Sequence, residues 1–301
     1  MKIIDTLLKN ISQVLLIENK WTGLLILLAL TIADWRVGIA ALAASAISFY
    51  TAPLLAFTEE EISHGLAGFN PVLTTIALTV FLHFHWINLL IIISSIPVTM
   101  LIHKALQMLL DRFGLSVYTM PFILTTWLFI NTAYSTKFVD TTLTLLPETM
   151  KHPEIAGGHF QLLQALLESF TEVFLVSNII SGIIMIIAIW IADRKLLLVT
   201  LIGTLLGILL IFGLDVSTSQ LNNGLFGYNL VLSLIVIWML FKQSRYSIAY
   251  MAFGVIVTVI MNLSLVTPIA VFGLPILTAP FVITAWIFQL YAEALSRRAA
   301  N

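Results

Sequence analysis

The sequence predicts an all-α, polytopic membrane protein made of two inverted-topology repeats, with a pore at the interface between them. Three observations lead to this fold class: a very apolar composition, one internal duplication at a fixed spacing, and a one-sided distribution of Lys and Arg. We predict that each repeat contains one half-membrane, re-entrant helix followed by five transmembrane helices.

The composition places the chain in a lipid environment. Of its 301 residues, 60% are hydrophobic and 10% are charged, whereas about 25% of residues are charged in average globular proteins. A soluble fold could not hide so much apolar surface, which leaves a membrane protein. The net charge of −1, without a basic run, argues against a nucleic-acid partner, and the absence of Cys excludes disulfides and cysteine-bound metals.

The duplication is visible as four pairs of matching blocks with one spacing. The segment FGLSVYTMPFILTTWLF at Phe113 returns as FGLPILTAPFVITAWIF at Phe272, which is 159 residues later. GLAGFN at Gly65 returns as GLFGYN at Gly224 with the same spacing. Two shorter pairs also share it, namely IAD at Ile32 and Ile191, and SQVLLIEN and TEVFLVSN with Gln13 and Glu172. One spacing without gaps indicates a true duplication, and two equal apolar halves suggest a transport pathway between them.

Each half begins with a predicted half-length helix, at about 3–18 and 162–177. Polar residues interrupt the first of these at four places: Asp5, Lys9, Asn10 and Gln13. This pattern favours an amphipathic or half-membrane helix over a cleaved signal peptide.

Five predicted spans follow in each half. In the first half they cover about 21–34, 37–57, 65–84, 86–108 and 115–134, and the second half repeats them 159 residues later. The first span of each half is short, and the third carries Gly and Asn near its start. Short or Gly-interrupted segments at matching places in two halves indicate a transport site.

A polar stretch at about 135–160 separates the two halves. It contains Lys137, Asp140, Pro147, Glu148, Lys151 and His152. We therefore expect a first repeat at 1–134, a polar connecting loop at 135–160, and a second repeat at 161–301.

The positive residues test the orientation of the halves. Five spans per half is an odd number, so the second half should enter the membrane in the opposite direction. With that topology, 11 of the 14 Lys and Arg residues lie on the side of the N-terminus. The other three are Arg36, Lys137 and Lys151. Since positive charge marks the cytoplasmic side, we expect both termini in the cytoplasm and the protein in the inner (plasma) membrane.

The first candidate site pair is Gln13 and Glu172, at equivalent positions of the two half-helices. Polar groups cost free energy at membrane depth, and a pseudo-two-fold axis would bring the two half-helices face to face. They are then two oxygen acceptors that line a pore. A hydrogen bond between packed helices, or exposure to water, is the alternative.

The second pair is Thr119 and Thr278, each in a T-x-P-F context. Pro121 and Pro280 remove a backbone donor and bend the chain, and irregular backbone at membrane depth survives where it faces protein or a water-filled path. Alternatively, each hydroxyl bonds back to its own helix.

The third set lies in and after the two G-L-x-G-[FY]-N motifs. Phe69 and Tyr228 are followed one turn later by two leucines, Leu73 and Leu232. Such residues are ordinarily core or lipid-facing, but the flanking glycines let backbones approach closely. For the adjacent Asn70 and Asn229 we expect a structural role, either satisfying broken backbone or capping a half-helix.

These duplicated blocks resemble the urea transporter family over nearly the whole chain. The resemblance rests on IDTLLKNISQV, NKWTGLLIL, G-L-x-G-[FY]-N and T-x-P-F in the family's order and spacing. It implies a homotrimer with one pore through each protomer, between inverted halves, and passive, channel-like flux of urea.

The resemblance also implies roles for particular residues. An acceptor ladder falls on Gln13, Glu172, Thr119 and Thr278. A flat hydrophobic slot falls on Phe69, Leu73, Tyr228 and Leu232, and its neighbours are Val14, Leu16, Val173 and Leu175. Tyr228 stands where Phe is more usual, so its hydroxyl would add a polar group to the slot.

Two alternatives within transport stay open from the residues alone. One is a channel for another small neutral solute, such as ammonia or a short amide. The other is an ion-coupled carrier, for which Glu172 is the candidate coupling residue. An enzyme is not expected, because the sequence contains no assembled nucleophile, P-loop or metal-ligand set, and we expect no cofactor. The expected partners are urea, membrane lipid and further copies of the chain.

Overall fold

The computed structural model describes residues 2–83, 85–135 and 159–300. Within these ranges the chain forms fourteen α-helices. The first seven are α1 (Lys2–Ser12), α2 (Lys20–Ala33), α3 (Trp35–Thr51), α4 (Glu59–Ser63), α5 (Phe69–Phe81), α6 (Trp86–Leu110) and α7 (Met120–Ser135). The other seven are α8 (Leu162–Thr171), α9 (Ile179–Ala192), α10 (Arg194–Phe212), α11 (Thr218–Asn222), α12 (Gly227–Phe241), α13 (Ser247–Ala270) and α14 (Ala279–Ala300). The prediction of an all-helical fold is confirmed, whereas most of the connecting loop predicted at 135–160 lies outside the described residues.

The two half-length helices are broken from the helices that follow them. A 3-10 turn at Gln13–Leu15 extends α1, and this pair of segments is bent by 76° from α2; Glu172–Phe174 extends α8, which is bent by 77° from α9. The turns end at Leu16 and Leu175, whose φ angles are 58° and 57°. In both halves the backbone therefore passes through the left-handed region at the end of the 3-10 turn that begins with Gln13 or Glu172.

Asparagine side chains start the helices after these breaks. The Asn19 carboxamide oxygen accepts from the backbone N–H of Trp21 at 2.8 Å and of Thr22 at 3.2 Å, which caps α2. The Asn178 oxygen accepts from the N–H of Ser181 at 3.0 Å and caps α9. Each cap satisfies donors that a helix start leaves unpaired, so α2 and α9 begin where their asparagine stands.

Four helices start later than the sequence predicted. The spans expected from 65, 115, 224 and 274 correspond to α5, α7, α12 and α14. The observed helices begin four or five residues later than expected for α5, α7 and α14, and three residues later for α12. Left-handed residues precede each start, namely Gly65, Tyr118, Gly224 and Leu277. A helix cannot pass through a residue with positive φ, so the repeated motifs form turns at which the spans begin.

Length and hydropathy identify four helical segments that could each cross a membrane, and up to six if each bent pair counts as one span. The four are Trp35–Leu55, Trp86–Phe113, Arg194–Phe212 and Ser247–Ala270. The apolar helices α5 and α12 have 13 and 15 residues, short of the roughly 20 residues of an untilted span. The chain is thus a multi-pass membrane protein, and five spans per half remains a prediction.

The short central helices are the most buried part of the molecule. All residues of α5 from Phe69 to Leu78 and of α12 from Gly227 to Ile237 are buried. The longer helices surround them and expose large apolar side chains, such as Leu101, Ile248 and Phe253. In water these exposed side chains would be unfavourable, so they face lipid.

Helices α2 and α9 form the most extensive contact between the halves. The Thr22 hydroxyl donates to the carbonyl of Ala188 at 2.9 Å, and the Ser181 hydroxyl donates to the carbonyl of Ala29 at 2.7 Å. Ser181 and Ala188 lie 159 residues after Thr22 and Ala29, so the two bonds are reciprocal. Across this interface the two halves therefore make matched contacts.

Candidate functional site

Two threonines meet where the halves converge. The hydroxyl oxygens of Thr119 and Thr278 lie 2.6 Å apart, and both side chains are buried. Each Thr directly precedes a helix, α7 or α14, and follows a residue with φ of 45° (Tyr118) or 48° (Leu277). The two hydroxyls therefore bond to each other across the two halves and not back to the helices that follow them.

Two asparagines hold the backbone beside these threonines. The Asn70 oxygen accepts from the N–H of Phe122 at 3.3 Å, and its amide nitrogen donates to the carbonyl of Tyr118 at 3.0 Å. In the second half, the Asn229 oxygen accepts from the N–H of Phe281 at 3.2 Å, and its amide nitrogen donates to the carbonyl of Leu277 at 3.3 Å. The predicted structural role is thus present, but the broken backbone belongs to the starts of α7 and α14 and not to the helices of the asparagines.

Two tryptophans that the sequence reasoning did not single out also join the halves at this point. The indole N–H of Trp127 donates to the carbonyl of Pro275, and that of Trp286 donates to the carbonyl of Ser116, both at 2.8 Å. These bonds are reciprocal at the 159-residue spacing. The signal was present in the sequence, because both Trp residues lie within the longest duplicated block.

The predicted slot residues lie in the first turns of α5 and α12. Phe69, Leu73, Tyr228 and Leu232 are all buried. The Tyr228 hydroxyl donates to the carbonyl of Leu277 at 2.5 Å. The phenol hydrogen is therefore used by the backbone, and the expectation that this hydroxyl adds a polar group to the slot stays a prediction.

The four neighbouring residues fall into two classes. Val14 and Val173 are buried in the core, inside the 3-10 turns. Leu16 and Leu175 are partly buried and occupy the left-handed position that ends each turn. The turn in the first half packs against α5, and the turn in the second half packs against both α5 and α12.

Gln13 and Glu172 start these turns but have different surroundings. The Gln13 amide donates to the carbonyl of His64 at 2.8 Å. Among the described residues, the Glu172 side chain has no hydrogen-bond partner, and no hydrogen bond joins it to Gln13. The structure thus pairs the two threonines directly, whereas the Gln and Glu side chains remain separate groups.

A cavity of about 700 Å³ opens next to the first-half residues. Four of the predicted residues or their neighbours line it: Gln13, Leu16, Phe69 and Tyr118. Its polar wall is formed by Glu18, Glu61, His103, Gln107, Asp111, Ser116 and Gln289. The cavity therefore extends from a charged mouth to Phe69, one of the predicted slot residues.

Ion pairs order the mouth of this cavity. Glu18 contacts Lys9 and His64 at 2.6 Å each, and Glu61 contacts Lys104 at 2.7 Å. The short helix α4 begins beside these pairs with a capping box from Thr58, and the Glu61 side chain is only 17% exposed.

The Glu61 carboxylate is held in its charged form. Partial burial by itself would raise its pKa, but hydrogen bonds from Lys104, from the backbone N–H of Thr58 and from Gln107 outweigh that effect and lower the pKa to about 2. Glu61 therefore stays negative at any physiological pH.

Comparison with known proteins agrees with this architecture. The model of the urea transporter family matches residues 4–293. Urea transporter 1 of Ovis aries is 28% identical over 301 aligned residues, which cover 96% of this chain and 77% of the relative. Urea transporter 1 of Mus musculus is 26% identical, with the same coverage of both chains. Members of such a family move a solute across a membrane and are not enzymes. The chain belongs to the urea transporter family.

Proposed function

We propose that each protomer contains a passive pore for urea between its two halves. The observation that carries this proposal is the 2.6 Å contact between the hydroxyls of Thr119 and Thr278, which directly precede α7 and α14. Buried hydroxyls at such a place are suited to a polar solute that must pass through an apolar interior. Gln13 and Glu172 are the outer acceptors of the same ladder.

Hydrogen bonding explains why a ladder of oxygens favours urea. Urea is small and planar, with four N–H donors and one carbonyl, and each hydrogen bond lost on leaving water costs roughly 1–3 kcal/mol if it is not replaced. Each threonine hydroxyl has one hydrogen and two lone pairs. Their mutual bond leaves lone pairs that accept from urea.

The slot explains selectivity for a flat, neutral solute. Phe69, Leu73, Tyr228 and Leu232 present apolar surfaces beside the acceptors, with Val14, Leu16, Val173 and Leu175 as neighbours. With the Tyr228 hydroxyl bound to Leu277, no phenol hydrogen interrupts this surface. An ion in the slot would lose its hydration without replacement ligands, so ions are excluded.

The reciprocal hydrogen bonds support a two-fold relation between repeats at 1–134 and 161–301. When residue i contacts residue j + 159 and residue j contacts i + 159, as for Trp127 and Trp286, the halves meet through the same surface, as in a two-fold dimer. We place this axis in the membrane plane, so that the five-span repeats are inverted and both termini are cytoplasmic. We further propose a homotrimer in the inner (plasma) membrane with one pore per protomer, as the urea transporter family implies.

Glu172 supports an ion-coupled carrier as the second candidate. Its carboxylate has no hydrogen-bond partner among the described residues, and a carboxylate in an apolar interior is the kind of group that binds and releases a proton or a cation. A channel for another neutral solute, such as ammonia or a short amide, uses the same ladder with a different preference.

Stopped-flow urea flux into proteoliposomes distinguishes these possibilities. The pore predicts fast urea flux that is the same with and without an imposed proton or sodium gradient. Flux that requires either gradient contradicts a passive pore and makes Glu172 the coupling residue. No urea flux from protein that remains folded contradicts urea as the solute.

A further inference from the structure

A histidine that the acceptor ladder does not use lies on the wall of the cavity. His103 in α6 is 4% exposed and lines the cavity with Gln13, Leu16 and Phe69. Its ring stands edge-on to Phe57, with centroids 5.3 Å apart, and to Phe69, with centroids 5.8 Å apart. These aromatic rings hold the imidazole plane in place beside the first slot residue.

Asn70 fixes the tautomer of this histidine. Its oxygen accepts from the backbone N–H of Phe122, and its nitrogen donates to the carbonyl of Tyr118, so the orientation of the amide is set by two backbone groups. The same nitrogen lies 3.4 Å from Nδ1 of His103. Because an amide nitrogen only donates, Nδ1 is the acceptor and the ring hydrogen of the neutral imidazole is on Nε2.

The Nε2–H of His103 has no acceptor in the described part of the protein. The equivalent residue of the second half, Asn262, accepts from Asn229 at 3.0 Å and donates to the carbonyl of Phe226 at 3.2 Å. Asn262 therefore bonds one of its two amide hydrogens to the protein backbone. His103 performs the same support of an asparagine and keeps its donor for the cavity.

The amide and phenol donors on the cavity wall each bond to at least one protein acceptor. Gln13 donates to His64, Gln107 donates to Glu61, and Tyr118 donates to Gln289. The Gln289 amide donates to the carbonyl of Gly114 and to the hydroxyl of Ser116. His103 thus differs from these groups because its one ring N–H is buried and has no acceptor in the described part of the protein.

We propose that His103 is a further substrate-binding residue, whose Nε2–H donates to the carbonyl oxygen of the solute as it enters the slot beside Phe69. The inference rests on the proposed urea pore and deepens it. The ladder residues offer acceptors for the N–H groups of urea, but its carbonyl oxygen also loses water and needs a donor. A planar carbonyl compound, such as urea or a short amide, therefore fits this position better than ammonia, which has no carbonyl.

Replacement of His103 by Asn isolates the donor. Asn262 shows that an asparagine at this place can accept from the neighbouring asparagine and direct its amide nitrogen to a backbone carbonyl. In His103→Asn we therefore expect the support of Asn70 to remain and the rigid ring N–H to be lost from the cavity wall. His85→Asn is the matched control, because His85 is an exposed N-cap of the same helix and Asn is a good N-cap.

Urea and thiourea flux into proteoliposomes is the readout. For His103→Asn we expect the urea concentration at half-maximal flux to rise about three- to tenfold, the usual effect of one lost hydrogen bond. The sulfur of thiourea accepts hydrogen bonds more weakly, so its flux should change less and the urea preference should fall. His85→Asn should match the wild type in both solutes.

Nitrogen NMR of histidine-labelled protein gives a second, structural readout. The resonance that disappears in His103→Asn should report a protonated Nε2 and should shift when urea is added. Wild-type protein without urea flux would refute the pore itself. Wild-type flux together with unchanged half-maximal concentration and solute preference in His103→Asn would overturn the assignment of His103 alone, as would an equal loss for urea and thiourea.

Discussion

The two halves of the chain are alike at the centre and different at the mouth. Among the described residues, every backbone position with positive φ has its counterpart 159 residues away. The pairs are Leu16 and Leu175, Ala56 and Asp215, Gly65 and Gly224, Gly114 and Gly273, and Tyr118 and Leu277. The turns that bring the halves together therefore keep one backbone path, although Tyr and Leu or Ala and Asp occupy the same place.

At the cavity mouth the counterparts have different chemistry. In the first half, Lys9 and Glu18 form an ion pair and His64 contacts the same carboxylate. The equivalent places in the second half are occupied by Glu168, Ser177 and Asn223. Glu168 instead accepts from the hydroxyl of Thr171 at 3.0 Å and is buried.

This difference follows from where the two halves touch. Near the two-fold relation, residues of one half pack against residues of the other, so a change on one side must fit the other. At the mouth, each half contacts itself and the surroundings, and its charges can change independently.

The threonine pair gives the largest expected effect. Replacing Thr119 and Thr278 together with Val should lower urea flux about tenfold or more, because the solute then loses acceptors at the narrow centre. Flux in proteoliposomes measures this, with protein content as normalisation. If the halves are equivalent at the centre, the two single variants should lose the same factor.

Thr132→Val is the control for this pair, since the Thr132 hydroxyl is exposed and bonds to its own helix at Leu128. Unchanged flux in the double variant would refute the acceptor ladder. Unequal single variants would break the two-fold comparison at the point where it should hold best.

Asn70 and Asn229, which hold the backbone before α7 and α14, should contribute differently to the free energy of unfolding. Asn70→Leu leaves the carbonyl of Tyr118 without its donor, whereas in Asn229→Leu the carbonyl of Leu277 keeps the bond from Tyr228. We expect both variants to unfold more easily, by about 2–4 kcal/mol for the buried groups left unpaired. Asn70→Leu should lose about 1 kcal/mol more of the free energy of unfolding than Asn229→Leu, and thermal unfolding in detergent can resolve this difference. The opposite order would contradict the proposed role of the asparagines in holding this backbone.

The Glu61 ion pair should make stability depend on pH in one half only. Because the folded pKa of about 2 is below the ordinary value near 4.5, the stabilisation is complete above pH 5 and is lost as the pH falls through 4.5 towards 2. Glu61→Gln should therefore lower the free energy of unfolding by about 1–3 kcal/mol at pH 7, and the gap to wild type should close as acid is added.

Exposed Glu59→Gln is the matched control for that series and should follow the wild type. A gap between Glu61→Gln and wild type that stays constant down to pH 3 would show that the charge of Glu61 is not what stabilises the mouth.

Tyr228→Phe gives the smallest effect. It removes one hydrogen bond to the carbonyl of Leu277, while Asn229 still donates to the same oxygen. The free energy of unfolding should fall by about 0.5–1.5 kcal/mol, as measured by thermal unfolding. Phe69 already provides a phenyl ring at the equivalent position. A larger loss would therefore mean that the rings at positions 69 and 228 are held in different ways.

The sequence by itself determined the helical class, the membrane setting and which residues of the two halves are equivalent. These follow from composition and from a single spacing, because a duplication without gaps aligns every position with its counterpart. Polar interruptions near the start of the chain also indicated a half-length helix there.

The tertiary structure alone decided how those pairs are used. Four features depend on groups distant in the chain: Thr119 meets Thr278, Asn70 supports the start of α7, and the Tyr228 hydroxyl donates to a carbonyl. The fourth is that the ring N–H of His103 has no acceptor among the described residues. Hydrogen bonds are directional and short-ranged, so a residue's partner is set by the packing of several helices at once. A one-dimensional pattern records which residues are equivalent, but not which of their atoms are already satisfied.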